Sequence, residues 1–169
     1  MKKRNFIIAV SFFVFLGIFI SPSFAEDKGR FAIIFATGGL GDKSFNDSAM
    51  EGIKQAGKQF GIRYDYAEPK AIAEYYTYMS QFANTGKYDL IIAIGFDQAD
   101  ALGQVASRFK EQKFAIIDMV VKKPNVASFI FKEEQRGFLM GYAAALMTTR
   151  TGDKKINKKK IIGVVGGMK

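Results

Sequence analysis

The stretch that decides the fold is Tyr88-Asp-Leu-Ile-Ile-Ala-Ile-Gly95. Its centre, Ile91 to Ile94, lacks the alternation of apolar and polar residues that a half-exposed strand shows. Near-continuous apolar strands are typical of parallel sheets that are covered on both faces. Other apolar runs that we expect to form strands are Phe31 to Ala36, Lys113 to Met119, Val126 to Phe131 and Lys160 to Val165.

Between these runs the apolar residues recur at the spacing of a helix face. Strands that alternate with helices predict an α/β fold with a doubly wound parallel sheet. We interpret the Met and aromatic residues of the helical stripes as core. The stripes are Ala49, Ile53, Ala56 and Phe60; Ile72, Tyr75, Tyr76, Met79, Phe82 and Ala83; Leu102, Val105, Ala106 and Phe109; and Phe138, Leu139, Tyr142, Ala145 and Leu146.

The first 25 residues have the organisation of a secretory signal peptide. Basic residues at positions 2 to 4 precede an apolar run from Phe6 to Ile20, and small residues follow at Ser23 and Ala25. The run of 15 residues is shorter than the roughly 20 that a spanning helix needs. We therefore expect cleavage after Ala25 and secretion to the periplasm, with a retained membrane anchor as the alternative. Because the chain has no Cys, we expect no lipid anchor.

The net charge of +9 is unevenly distributed along the chain. The segment 1–25 carries +3, residues 26–149 balance to zero, and residues 150–169 carry +6, mostly in the lysine-rich run Lys154 to Lys160. We interpret that run as a solvated loop, with contact to anionic lipid or phosphate as the alternative. Because residues 26–149 carry no net charge, we expect no nucleic-acid partner.

The absence of His and Cys excludes whole classes of enzyme. No Ser-His-Asp triad, thiolate nucleophile, disulfide or ordinary zinc site can form. The remaining acids are dispersed among strand ends and helix caps. We therefore expect no catalytic residues, no metal and no cofactor.

The densest site signal is the segment 37–47, directly after the first predicted strand, where open α/β sheets bind ligands. It is no Walker loop, since Asp42 precedes Lys43 where Gly is required. Ser44 with Asp47 fits a capping box. Phe45 and Asn46 would then lie in the first turn of the helix, where an aromatic ring and an amide suit a flat, polar ligand. The alternative, core for Phe45 and a cap for Asn46, is equally supported.

Two carboxylates follow other predicted strands. Asp97 is interpreted as a cap for the helix that begins near Gln98, with a ligand-facing acceptor as the alternative. Asp118 is followed by a turn rather than a helix, which favours a binding role. A charged hydrogen bond from a ligand hydroxyl to such a carboxylate contributes about 1.5–3 kcal/mol.

Five segments together resemble the basic membrane protein family, the extracytoplasmic substrate-binding proteins of ABC importers that are similar to purine nucleoside receptors. The resemblance covers essentially the whole chain after residue 25. The segments are Gly-Gly-Leu-Gly-Asp-Lys-Ser-Phe-Asn-Asp at 38–47, Phe-Ala-Ile-Ile-Asp at 114–118, Pro-Asn-Val-Ala-Ser at 124–128, Phe-Leu-Met-Gly-Tyr-Ala-Ala at 138–144 and Gly-Val-Val-Gly-Gly-Met at 163–168.

The resemblance implies a periplasmic-binding-protein-like clamshell of type I. It implies that Phe45 stacks on a nucleoside base, Asn46 hydrogen-bonds it and Asp118 accepts from the ribose hydroxyls, while Phe96 and Thr37 line the cleft. The implied partners are a nucleoside-like small molecule and a membrane permease with its ATPase, with the receptor a monomer. The family pattern departs at Ala36, where nucleoside-binding members often carry Asp.

The same resemblance implies an N-terminal lobe at 26–130 and the start of a truncated C-terminal lobe at 131–169, so that the second lobe is incomplete. We expect such a chain to bind its ligand weakly or not at all. Two other functions stay open: a sensory nucleoside receptor and a carboxylate-dependent nucleoside hydrolase.

Overall fold

The computed structural model describes residues 28–150, 152, 155–156 and 159–166. The predicted signal peptide at 1–25 lies outside these residues. No helix in the described part of the chain combines the length and apolar character needed to cross a membrane.

In the described part of the chain, five strands form a single parallel sheet. The order across the sheet is β2, β1, β3, β4, β5, and every neighbouring pair is parallel. This order reverses direction between β1 and β3, as in doubly wound folds. The strands are β1 (Arg30–Ile34), β2 (Arg63–Ala67), β3 (Leu90–Ile94), β4 (Phe114–Ile117) and β5 (Val126–Phe129).

Helices cross over between the strands except between β4 and β5. The four predicted apolar stripes fall in these helices, apart from Ile72 and Phe109, which lie just outside the helix ends. Short 3₁₀ turns at Ile72–Glu74 and Phe96–Gln98 lead into the second and third helices. The helices are α1 (Phe45–Phe60), α2 (Tyr75–Asn84), α3 (Ala99–Arg108) and α4 (Glu133–Thr148). The predicted doubly wound α/β fold is confirmed.

The two faces of the sheet bury alternate residues of the central strands, as the two-residue period of a strand requires. On β1, Ile33 joins a cluster with Met50 and Ile53 of α1. Its neighbours Ala32 and Ile34 face the opposite way, into a larger cluster built from α2 and α3. Both faces of β1 and β3 are therefore covered, which accounts for their apolar sequences.

Strand β2 is missing from the strands predicted above. Its sequence, Arg-Tyr-Asp-Tyr-Ala, lies at the edge of the sheet, and only Ala67 is buried. An edge strand needs no continuous apolar run, so the sequence signal used for the other strands is absent here. Asp65 of β2 instead forms an ion pair with Arg30 of the neighbouring strand β1 at 2.6 Å.

The strand predicted at Lys160 to Val165 is wrong. These residues have no regular secondary structure, and Val164 and Val165 are almost fully exposed. An isolated apolar run becomes a strand only when a neighbouring strand supplies its hydrogen bonds, and none of the described strands pairs with this run.

Helix α4 buries none of its residues, although Phe138, Leu139 and Tyr142 are apolar or aromatic.

Candidate functional site

The candidate site lies at the carboxyl edge of the sheet, next to the point between β1 and β3 where the strand order reverses. Diverging crossover connections leave a crevice at this point of a doubly wound sheet, and ligands bind there. Two segments border the crevice. One is the loop 35–44, which connects β1 to α1, and the other is the turn 95–98, which connects β3 to α3.

Asp42 caps the N-terminus of α1. Its carboxylate accepts hydrogen bonds from the backbone N–H groups of Ser44 at 2.9 Å, Asn46 at 2.9 Å and Asp47 at 3.1 Å. Slight burial raises the pKa of Asp42, but these backbone hydrogen bonds outweigh it and lower the pKa below its usual 3.8. A carboxylate therefore occupies the position where a Walker loop would hold phosphate.

The predicted capping box of Ser44 and Asp47 is wrong. Ser44 is the residue before α1 but makes no side-chain capping hydrogen bond. Asp47 turns back toward the loop and accepts from the N–H groups of Gly41 at 2.7 Å and Lys43 at 2.8 Å. Asp42 therefore caps the helix in place of the Ser44 hydroxyl, because its carboxylate reaches three N–H groups at once.

Asn46 is buried beneath the loop and bonds to its backbone. Its amide oxygen accepts from the Ala36 N–H at 3.0 Å, and its nitrogen donates to the carbonyl of Gly39 at 3.0 Å and to that of Ala36 at 3.4 Å. The side chain is only 2% exposed. Asn46 thus holds the loop in place. Its contact with a base stays a prediction, which requires either the second lone pair of the amide oxygen or a rearrangement of the loop.

Phe45 and Asp118 line one pocket of about 550 Å³. This volume is within the range of small-molecule sites. Phe45 is the first residue of α1 and is 36% exposed, and Asp118 directly follows β4. The structure therefore brings together two of the five predicted site residues. The pocket is also lined by Ser48, Ala49, Ile94, Ile117, Phe131, Lys132, Glu133 and Arg136.

Asp118 has an unusual backbone conformation. Its φ is +75°, in the left-handed region that non-glycine residues rarely adopt, although Asp tolerates it better than most. Its N–H donates to the carbonyl of Phe129 at 2.7 Å, which extends the pairing of β4 with β5 by one residue. As predicted, no helix follows Asp118.

The beginning of α4 and the residues before it supply charges that the sequence analysis did not single out for the site. Lys132, Glu133 and Arg136 line the pocket beside Phe131, and Arg136 forms an ion pair with Glu133 one turn away. These residues could not be assigned to the site from the sequence, because they reach the pocket only through the course of the chain after β5.

Thr37 and Phe96 do not line this pocket. Phe96 opens the 3₁₀ turn after β3 and is 47% exposed. Thr37 lies in the loop after β1, where its N–H donates to the hydroxyl of Tyr75 at 3.0 Å. The same hydroxyl donates to Asp97 at 2.7 Å. Asp97, predicted as a helix cap, makes no capping hydrogen bond to α3, so that interpretation is wrong.

Gln98 is a second buried polar residue that the sequence did not reveal as structural. Its amide nitrogen donates to the carbonyls of Ile34 at 2.9 Å and Ile94 at 2.8 Å, the last residues of β1 and β3. It therefore ties the two strands together directly below the crevice. Among the described residues, no group of His, Cys, Asp and Glu could hold a metal ion.

The strand order and the crevice define the class of protein: a doubly wound α/β ligand-binding domain. Within that class, the chain belongs to the Bmp family, described as "ABC transporter substrate-binding protein PnrA-like", which matches residues 31–169. The predicted resemblance and the periplasmic-binding-protein-like fold are confirmed. The family comprises solute-binding proteins of ABC transporters rather than enzymes.

Relatives and a solved structure agree with this assignment. An uncharacterised lipoprotein of Pyrococcus horikoshii is 36% identical over 82% of this chain and 33% of its own length. The ABC transporter nucleoside-binding protein BmpA of Lactococcus lactis is 34% identical over 81% of this chain and 38% of its own. A solute-binding protein of an ABC transporter system from Aeropyrum pernix has a TM-score of 0.67 and 34% identity, covering 73% of this chain and 35% of that one.

The chain spans about a third of the length of these relatives. The family is extracytoplasmic, and the Pyrococcus relative is named a lipoprotein. A lipoprotein relative runs against the expectation of no lipid anchor, which was drawn from the lack of Cys in this sequence. That expectation stays a prediction, as does the division into lobes at 26–130 and 131–169.

Proposed function

We propose that this chain forms part of an extracytoplasmic receptor that captures a purine nucleoside and delivers it to an ABC importer. The observation that carries the proposal is the shared pocket of Phe45 and Asp118. An aromatic ring provides a stacking surface for a base, and a carboxylate accepts hydrogen bonds from vicinal hydroxyls. The name of the Lactococcus relative supports a nucleoside as the ligand.

The receptor acts without converting its ligand. Its partners are the membrane permease and the ATPase of the importer, it is periplasmic, and it functions as a monomer. Closure of two lobes around the ligand would present a closed form to the permease, as in other binding proteins of this architecture. Family membership supports the transport partners.

The chain by itself should bind its ligand weakly. A micromolar dissociation constant corresponds to about −8.2 kcal/mol and a millimolar one to about −4.1 kcal/mol. If roughly half of the ligand contacts come from the part of the relatives that this chain does not span, their loss moves a micromolar site into the millimolar range. The pocket of this chain is partly open to solvent, which agrees with partial enclosure of a ligand.

The test is a titration with inosine up to about 10 mM, in which binding is monitored through the amide chemical shifts of the isotope-labelled protein. We expect shifts concentrated at the residues that border the pocket, Phe45 and Asp118 among them, with a dissociation constant near 1 mM. Phe45→Ala and Asp118→Asn should each weaken binding at least threefold. Lys54→Ala, on the exposed side of α1, is the matched control and should bind like the parent.

Two results would count against the proposal. Shifts that are absent at 10 mM inosine would overturn the proposed millimolar binding of inosine by this chain. Shifts that persist unchanged in Phe45→Ala and Asp118→Asn would place the ligand elsewhere. A low-micromolar dissociation constant would keep the nucleoside but overturn the expectation of weak binding.

A further inference from the structure

Tyr75 is fully buried on α2, yet its hydroxyl lies between the two segments that border the crevice. It accepts from the N–H of Thr37 at 3.0 Å and donates to Oδ2 of Asp97 at 2.7 Å. Thr37 belongs to the loop after β1, and Asp97 belongs to the turn after β3. One hydroxyl therefore connects the two loops, in addition to the hydrogen bond from Gln98 to the end of β1.

The connection is a strong one. An O–H group that donates to a carboxylate at this distance makes a charge-assisted hydrogen bond, which is about twice as strong as a neutral one. Burial raises the pKa of Tyr75, as does the hydrogen bond to Asp97, to about 12. The hydroxyl consequently keeps its proton, and its donation to Asp97, at physiological pH.

The sequence around Asp97 is adapted to this contact. Gly95 has a φ of +113°, and a Cβ at that position would lie 3.1 Å from Oδ1 of Asp97. The neighbouring Gln98 is anchored to β1 and β3 by its amide. Phe96 lies between Gly95 and Asp97 in the sequence and is the exposed member of the turn.

We propose that Tyr75 is a positioning residue of the binding site. By bonding to both loops it sets the placement of Thr37 and of the turn 95–98. That turn adjoins the pocket residue Phe45 at Gly95, where a Cβ would lie 3.9 Å from the Phe45 ring. Tyr75 touches no ligand itself. Removing its hydroxyl leaves the ring to fill the core but frees the loops to move independently. The expected effect of Tyr75 on binding rests on the proposed function, whereas the effect of Tyr75 on the loops is independent of any ligand.

The experiment compares Tyr75→Phe with Tyr78→Phe, which makes the same change on the same helix in a ring packed against the same core. Amide hydrogen exchange is measured at Thr37 and at Ala93, a buried residue of β3 that reports global unfolding. We expect exchange at Thr37 in Tyr75→Phe to accelerate at least tenfold more than at Ala93. Asp97→Asn, which keeps an acceptor oxygen, should accelerate it less than Asp97→Ala.

Binding provides the second measurement. In a parent that binds inosine, Tyr75→Phe should raise the dissociation constant about three- to tenfold, and Tyr78→Phe should leave it unchanged. Equal acceleration at Thr37 and Ala93 would show a purely global role and overturn the proposal, as would unchanged binding by Tyr75→Phe. If the parent binds no nucleoside, the proposed function fails, and the exchange result alone decides whether Tyr75 positions the loops.

Discussion

The side-chain amide of Asn46 donates a hydrogen bond to the backbone carbonyl of Gly39 at 3.0 Å. Through this bond and the one that it accepts from Ala36, the first turn of α1 holds the preceding loop against the end of β1. Gly39 has a φ of +67°, and a Cβ there would lie 3.2 Å from Glu68. The loop after β1 is therefore shaped by a buried amide on one side and by a close approach on the other.

Replacement of Asn46 by Ala should destabilise the protein by about 2–4 kcal/mol. The change leaves the N–H of Ala36 and the carbonyl of Gly39 without their partner, and each unpaired buried group costs about 1–3 kcal/mol. Urea unfolding followed by circular dichroism measures the difference. Lys54→Ala, on the same helix but exposed, should stay within about 0.5 kcal/mol of the parent. A loss below 1 kcal/mol for Asn46→Ala would show that water replaces the amide without cost.

The cap of α1 can be assigned by comparing two variants. Asp42→Ala should cost about 1 kcal/mol, because the carboxylate accepts from three backbone N–H groups. Ser44→Ala should cost much less, since its hydroxyl makes no capping bond. Chemical denaturation of both variants at neutral pH gives the comparison. A larger loss in Ser44→Ala would restore the capping box that the sequence pattern indicated.

The same carboxylate gives a pH dependence. Because the pKa of Asp42 is lowered in the folded state, its contribution is present above the unfolded value of 3.8 and is lost as the pH falls through the folded value. The difference in unfolding free energy between the parent and Asp42→Ala should therefore shrink in acid. Denaturation curves collected from pH 6 down to about pH 2.5 would show it. A difference that is constant over this range would mean that the charge is unimportant for the cap.

How far the sequence predicts this molecule depends on what each signal reports. Continuous apolar runs report burial on two faces, so β1, β3 and β4 were predictable. The edge strand β2 was not predictable, because its backbone groups form the hydrogen bonds to β1 and its side chains need not be apolar. Phe45, at the start of α1, and Asp118, directly after β4, could be predicted as site residues because both lie in connections that follow strands, and the family resemblance implied that they share a site. Tyr75 could not, since an aromatic residue in a helical stripe is indistinguishable from core until its hydroxyl is placed.

Stability at high pH should report the environment of Tyr75. Its pKa is raised to about 12 in the folded protein from 10.0, so its contribution is complete below pH 10 and is lost as the pH rises toward 12. A shift of this size corresponds to a loss of about 2–3 kcal/mol over the window. The fall in unfolding free energy between pH 9 and pH 12 should be smaller in Tyr75→Phe than in Tyr78→Phe. Equal falls in the two variants would show that Tyr75 ionises freely.

Glycine at position 95 should be required for the turn after β3. Its φ of +113° lies in a region that L-residues with a side chain rarely adopt, and a Cβ would crowd Asp97 at 3.1 Å. We expect Gly95→Ala to cost about 1–3 kcal/mol of unfolding free energy, from backbone strain and from displacement of Asp97 away from Tyr75.

Gly103→Ala is the matched control, because Gly103 lies inside α3 with open space around its missing Cβ. There the same change should stabilise the protein by about 0.5–1 kcal/mol through improved helix propensity. Urea unfolding of both variants decides the matter, and stabilisation by Gly95→Ala would mean that the turn relaxes to a conformation in which Asp97 no longer needs the space.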